Sequence, residues 1–196
     1  MKNPEETRNY IIEAAAPVFN KNGYVGASLS DILEQTNLTK GAIYHHFKNK
    51  DDLALAALEY NLGLISTRIF NKIKDKYNSC DKLLVFAESF RNNYDLMKQA
   101  GGCPVINAAV DSDDVNEAIR NRVCRFIRMW RKSLKMIIEQ GKTDSEIRKD
   151  VDAEAFSMNF ISLIEGSLAM SKVSDDRKFL DNAVDLVKFL VEQIRI

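Results

Sequence analysis

Residues 28–53 read SLSDILEQTNLTKGAIYHHFKNKDDL, and the architecture turns on this stretch. Ser28 with Asp31 three residues on has the spacing of a helix start, where a side-chain oxygen at each position accepts the other's backbone N–H. Leu29, Ile32 and Leu33 then give the first helix an apolar face. Asn37 tolerates the left-handed backbone that ends a helix. Thr39 caps a second helix at once, expected from Lys40 to about His46. Ile43 and Phe47, four apart, should face inward with Leu38, leaving Lys40, Tyr44 and His45 outward. A short helix, a tight turn and a second helix with outward donors form a helix-turn-helix pattern.

Such a pattern has a specific chemistry. The DNA major groove is about 12 Å wide and admits one helix. The second helix of the motif enters it, with its N-terminal residues nearest the base edges. This puts Thr39, Lys40 and Gly41 at the leading end, where Gly41 permits close backbone approach. Tyr44 and His45 can donate to phosphates, and Lys50 begins the next helix near a further phosphate. Ser28 offers its hydroxyl, and the amides of its helix, to the DNA backbone. Each residue alone would be ordinary solvated surface; their joint spacing carries the reading.

Composition neither demands nor forbids it. The chain has 196 residues, 45% hydrophobic and 29% charged, as expected of a soluble globular protein. Its formal net charge is zero, so no global basic field attracts nucleic acid, although phosphate neutralisation dominates DNA affinity. Residues 1–50 hold six Lys and Arg against five Asp and Glu. The basic footprint is therefore local, in Lys40, Lys48 and Lys50. The three cysteines, at 80, 103 and 124, show no paired spacing and are expected as reduced thiols. The N-terminal MKNPEETRNY has no apolar stretch, and no apolar run approaches membrane-spanning length. A cytoplasmic protein without membrane association is expected.

Catalysis finds little support. His45 and His46 are neighbours without an i+4 histidine or cysteine to complete a metal face. No GxSxG, Walker or GxGxxG pattern occurs. The acidic residues Glu139, Asp144, Glu146, Asp150 and Asp152 read as solvated surface. No cofactor is expected, and the chain is not expected to be an enzyme.

Elsewhere apolar residues recur at helical spacing, predicting an all-α fold of about nine helices without a confident strand. Helix 1 opens at Asn3 with Pro4 and Glu6, is interrupted by Pro17, and stops at Gly23. Asn49 with Asp52 caps a fourth helix, expected over about 49–76. A fifth runs from Ser79 through Met97, and a short one follows the Gly101, Gly102, Cys103, Pro104 break. Asp113 or Asp114 is expected to cap a long helix ending at Gly141. Two more span about 152–172 and 175–194. A helix-turn-helix domain over 1–48 is expected, with helix 4 linking it to a helical body over 49–196.

The segment 8–53 closely resembles the N-terminal domain of TetR/AcrR-family transcriptional regulators. Ile12, Ala15, Phe19, Gly23, Tyr24, Ser28 and Ile32 carry the likeness, with the run 37–41 (NLTKG), the run 43–47 (IYHHF) and residues 48–53. The resemblance implies a homodimer that binds a palindromic double-stranded DNA operator and releases it when a small-molecule effector fills the C-terminal domain. By position it implies backbone contacts from Ser28, Tyr44, His45 and Lys50, and base or phosphate contacts from Thr39, Lys40 and Gly41. Pro17 is less usual in the family's first helix.

The body should then hold a mostly apolar pocket with a few polar anchors. Phe86, Phe90, Tyr94, Cys103, Asn107, Phe126 and Trp130 are the expected lining, with Met97, Met129 and Met158 as further candidates; plain core packing explains the same residues. Trp130 and Tyr94 stand out because each couples an apolar ring to a polar tip. Cys103 precedes a helix N-terminus, a setting that lowers thiol pKa, but no basic residue adjoins it. The dimer surface is expected on the last two helices, through Phe160, Ile161, Ile164 and Leu168 with Leu180, Ala183, Val187 and Leu190. Gly166 and Ala169 would permit close approach; an isolated bundle core explains the same residues. The alternative reading is a small-molecule-binding or enzymatic helical protein whose head is only structural.

Overall fold

The computed structural model describes residues 3–196 as ten helices: α1 (Pro4–Asn22), α2 (Leu29–Thr36), α3 (Lys40–His46), α4 (Lys50–Ile73), α5 (Ser79–Asn92), α6 (Tyr94–Gln99), α7 (Pro104–Ser112), α8 (Glu117–Thr143), α9 (Ala153–Ser174) and α10 (Lys178–Ile194). The β-pairing among the described residues is one isolated bridge, Ile147 to Arg195. The all-α expectation holds. The fifth expected helix is two, because Asn93 breaks the ladder. Its N–H turns back to the Phe90 carbonyl, and its side-chain amide donates to the Ser89 carbonyl at 2.6 Å.

The chain divides into two compact units: residues 3–64 with 99–124, and residues 65–98 with 125–196. The boundary expected at residue 48 is thus displaced. The first half of α4, all of α7 and the start of α8 belong with the helix-turn-helix.

In the first unit, α1 starts at the expected capping box of Asn3 and Glu6 and runs unbroken through Pro17, which lies exposed. Ile11, Ala15, Phe19, Tyr24, Ile32, Ile43, Phe47 and Leu58 form its core. Phe19 and Tyr24 stack at 6.1 Å. The Tyr24 hydroxyl accepts from the Asn61 side chain at 2.9 Å, and burial holds the phenol far above its ordinary pKa. Residues 100–111 are bonded to the end of α1. Asn20, itself buried, donates through Nδ2 to the carbonyls of Ala100 at 2.6 Å and Gly102 at 3.0 Å. Asp111 accepts from the Val25 N–H at 2.6 Å. Gly101 has φ +97°, and a Cβ there would stand 2.8 Å from the Lys21 Cα, so only glycine suits both demands.

In the second unit α10 packs on α9 and α5. Phe86, Phe90, Trp130, Leu134, Phe160, Ile164, Leu168, Leu180, Val184 and Val187 are buried there. Arg91 pairs with Glu88, Asp181 and Asp185, tying α5 to α10. Four expectations are corrected here. Asn116, not Asp113 or Asp114, starts α8: its Oδ1 accepts the Ile119 N–H at 3.1 Å, while the aspartates form the preceding turn. Gly141 does not end α8, which continues to Thr143; a Cβ on Gly141 would meet Ile147 Cδ1 at 2.7 Å and Ser79 Cβ at 2.8 Å. Asp175, at φ 54°, ends α9 rather than opening α10. Finally, Phe160, Ile161, Ile164, Leu168, Leu180, Ala183 and Val187 are buried within the protomer, so they are its core and not a free surface.

Candidate nucleic-acid interface and effector cavity

The helix-turn-helix forms through local chemistry. The Ser28 hydroxyl accepts from the Asp31 N–H at 3.2 Å, and the Asp31 carboxylate accepts from the Ser28 N–H at 3.3 Å. The Ser28 hydroxyl and amide together hold the Asp31 carboxyl below its ordinary pKa. Asn37 takes the left-handed conformation, φ 53°. The Thr39 hydroxyl accepts from the Ala42 N–H at 3.2 Å, which starts α3 at Lys40. Ile43 and Phe47 anchor the helix in the core. The opposite face is open: Thr39, Lys40, Gly41 and His45 are exposed and Tyr44 is half-buried. Lys40 and Tyr44 form one unit, with the ammonium 5.9 Å from the ring centroid. His45 and His46 meet edge to face at 5.0 Å.

Lys50 has a different posture from the one its position suggests. Its ammonium donates to the carbonyls of Val25 at 2.7 Å and Ala27 at 2.9 Å. It therefore clamps the α1–α2 connection to the first turn of α4. Ser28 is exposed at the α2 N-terminus, but its hydroxyl is engaged in the cap and with the Ser30 hydroxyl at 2.8 Å.

The expected pocket residues separate. Phe86, Phe126 and Trp130 line a cavity of about 160 Å³ in the second unit, together with Ile65, Ser66, Ile69, Phe70, Ile73, Met129 and Ser133. Phe90 stands behind it, stacked on Trp130 at 5.4 Å, and Phe86 stacks on Trp130 at 5.7 Å. Tyr94 is buried in the same unit but does not line the cavity, and its hydroxyl has no hydrogen-bond partner among the described residues. Of the seven expected lining residues, four (Phe90, Tyr94, Cys103 and Asn107) do not line it. Cys103 and Asn107 belong to the first unit. Cys103 is buried at the start of α7. Asn107 is committed to α1, donating to the Asn20 carbonyl at 3.0 Å and to Gly101 at 2.8 Å. Of the methionines, Met129 lines the cavity, whereas Met158 is exposed on α9.

The α4 contribution escaped sequence reading. Ile65, Ile69 and Ile73 recur at four-residue spacing, a visible stripe, but α4 read as a linker. The end of that helix is instead one wall of the cavity. A larger cleft of about 510 Å³ between α1 and α4 is lined by Arg8, Asn9, Glu13, Glu59 and Tyr60 among others, and this charged lining suits it poorly to an apolar guest.

Known proteins resemble both halves of the chain. The model of bacterial regulatory proteins of the tetR family matches residues 11–57, and that of the tetracyclin repressor-like C-terminal domain matches residues 79–187. A TetR-family transcriptional regulator from Cytophaga hutchinsonii is 34% identical, covering 100% of this chain and 98% of its own, with a TM-score of 0.93. Another, from Chloroflexus aurantiacus, is 32% identical with full coverage of both chains and a TM-score of 0.95. The transcriptional repressor DhaR of Mycobacterium sp. (strain GP1) is 22% identical over 92% of this chain and 89% of its own.

Proposed function

Because this chain belongs to the TetR family of bacterial regulatory proteins, we propose that it is a homodimeric repressor whose α3 helices read a palindromic operator and whose α4–α5–α8 cavity takes the releasing effector. That it is a DNA-binding transcriptional regulator and not an enzyme follows from the family. One observation carries the finer reading. The face of α3 bearing Thr39, Lys40, Gly41, Tyr44 and His45 is left open while its opposite face is locked in the core. A helix braced in this way can enter a major groove without reorganising.

The roles follow from placement. Lys40 and the exposed α3 N-terminus meet base edges or phosphate, and Tyr44 and His45 donate to phosphate. Lys50 acts chiefly by fixing the loop before α2, whose N-terminal amides then face the DNA backbone. The helix α4 runs from that clamp to the cavity wall at Ile65, Ile69 and Ile73. An effector that displaces this wall shifts the population of the binding-competent form. Moving the balance from 1:99 to 99:1 takes about a 10⁴-fold preference for one state.

Dimerisation uses the second faces of the last two helices. Met158, Met170 and Val173 on α9 and Phe179, Leu186 and Phe189 on α10 are exposed apolar residues at near-helical spacing. A Cβ on Gly166 would meet nothing within 4 Å, so the surface there is open to close approach. An apolar surface of this kind on two adjacent helices suits a self-complementary, two-fold interface. The test is a gel-shift titration with DNA from upstream of the chain's own gene. Saturation at two protomers per palindrome supports the proposal; absence of any shift removes it.

A further inference from the structure

The cavity of the second unit has the chemistry of a particular class of guest, and the following inference rests on reading it as the effector site. Its walls are carbon-rich: isoleucines from α4, Phe86 from α5, and Phe126 and Trp130 from α8. No charged side chain is among the described residues that line it. The Ser133 hydroxyl is already spent on the Met129 carbonyl at 3.0 Å. An ionic guest would lose its hydration there without compensation. The volume, about 160 Å³, sets the size. A dry cavity of about 150 Å³ holds a benzene, so a substituted single ring fills the space.

Beside the half-buried Ser66 hydroxyl, which solvent can reach, one fully buried polar group of the lining is unspent. Trp130 is 5% exposed, and its indole Nε1 is buried without a hydrogen-bond partner among the described residues. Its ring packs against Phe86 and Phe90, which also pack on each other at 6.2 Å, with Phe126 edge-on at 5.8 Å. A buried N–H left unpaired is costly, so a guest that supplies an acceptor gains more than contact area. Nε1 lies under the protein surface, and pairing requires the indole to re-seat as the guest enters. The exposed Phe70 and Met129 flank the same cavity and leave it open on that side.

We propose that this cavity selects uncharged, single-ring aromatic compounds bearing one hydrogen-bond acceptor, which lie against the Trp130 ring and accept from Nε1. Trp130 is the only tryptophan of the chain, so the ¹⁵N-labelled full-length protein gives one indole N–H resonance, from this residue. Three probes separate the possibilities: acetophenone, the near-isosteric α-methylstyrene that lacks the oxygen, and benzoate. Acetophenone should shift the indole proton downfield and bind about tenfold more tightly than α-methylstyrene by calorimetry, as one hydrogen bond allows. Benzoate should bind neither tightly nor with a shift. In Trp130→Phe the preference for acetophenone over α-methylstyrene should vanish while the apolar probe still binds. Equal binding of acetophenone and α-methylstyrene, or a preference for benzoate, overturns the proposed class and leaves the effector cavity standing. If no probe perturbs the indole resonance in protein that still binds DNA, both the class and the cavity assignment fall.

Discussion

Asn107 donates its side-chain amide to the backbone carbonyl of Asn20 at 3.0 Å and stands 3.2 Å from the Asn20 side-chain oxygen. Asn20 in turn donates to the carbonyls of Ala100 and Gly102. Two asparagines, eighty-seven residues apart, thus close a ring of hydrogen bonds that fastens the start of α7 to the end of α1. Asn20→Ala leaves the buried Gly102 carbonyl without its donor and should cost about 1–3 kcal/mol, read as a lower midpoint in thermal unfolding. Asn107→Ala should cost less, since Asn107 is half-buried and water can replace its bonds. If neither substitution moved the midpoint, the ring would be incidental.

Lys40 and Lys50 should respond differently although both are lysines of the same motif. Lys40 is exposed, and its ammonium lies over the Tyr44 ring. Lys40→Ala should weaken operator binding, reduce the log–log salt slope by about 0.9 for each phosphate that Lys40 neutralises, and leave the unfolding midpoint unchanged. Lys50→Ala removes the clamp on Val25 and Ala27, so affinity and midpoint should fall together. Equal behaviour of the two variants in salt-dependent gel shifts and thermal melts would refute this division of labour.

Gly141 is set by contact, not by conformation, since its Cβ position is already occupied by Ile147 and Ser79. Gly141→Ala should destabilise by about 1–3 kcal/mol through overpacking, in spite of alanine's better helix propensity. Denaturant melts measure this directly. A neutral or stabilising alanine would show that Ile147 gives way freely.

The exposed apolar residues of α9 and α10 give a test of assembly. Phe189→Glu places a charge where the partner helix is proposed to pack, and should convert dimer to monomer in analytical ultracentrifugation and abolish operator binding. An unchanged dimer would move the interface elsewhere.

Acid should weaken the helix-turn-helix through Asp31. Its carboxyl is held below the ordinary value of 3.8 by the Ser28 hydroxyl and amide. A depressed folded-state pKa contributes stability that is complete above the unfolded value and lost as pH falls through the folded one. Between about pH 5 and about pH 3 the wild-type midpoint should therefore drop more steeply than that of Asp31→Asn. Parallel curves would show that the cap titrates without consequence.

The helix starts of the head were legible because caps are local. Asn3, Ser28, Thr39 and Asn49 announce themselves within three residues of the amides they serve. Two termini were misread between local competitors, Asn116 capping α8 in place of Asp113 or Asp114 and Asp175 closing α9 in the left-handed conformation, and one because a tertiary contact overrides local preference. Gly141 looked like a stop because glycine usually is one, and only Ile147 and Ser79 reveal that it is a point of close approach. Asn107 looked like a pocket anchor because nothing local shows that its amide is owed to Asn20. The aromatic positions 86, 126 and 130 were readable from spacing and ring chemistry. The α4 wall was not, since an apolar stripe does not say which cavity it closes. Likewise the buried faces of α9 and α10 read as a dimer surface because periodicity marks an apolar stripe without telling an internal partner from an external one.

The most direct test titrates the purified protein into labelled DNA from upstream of its own gene, by fluorescence anisotropy, from about 50 to about 200 mM salt. The expected result is saturable binding of two protomers, an affinity that falls steeply with salt, and a shallower slope for Lys40→Ala. Binding that ignores salt, or is unchanged by both Lys40→Ala and Tyr44→Ala, would contradict the assignment of α3 as the reading helix.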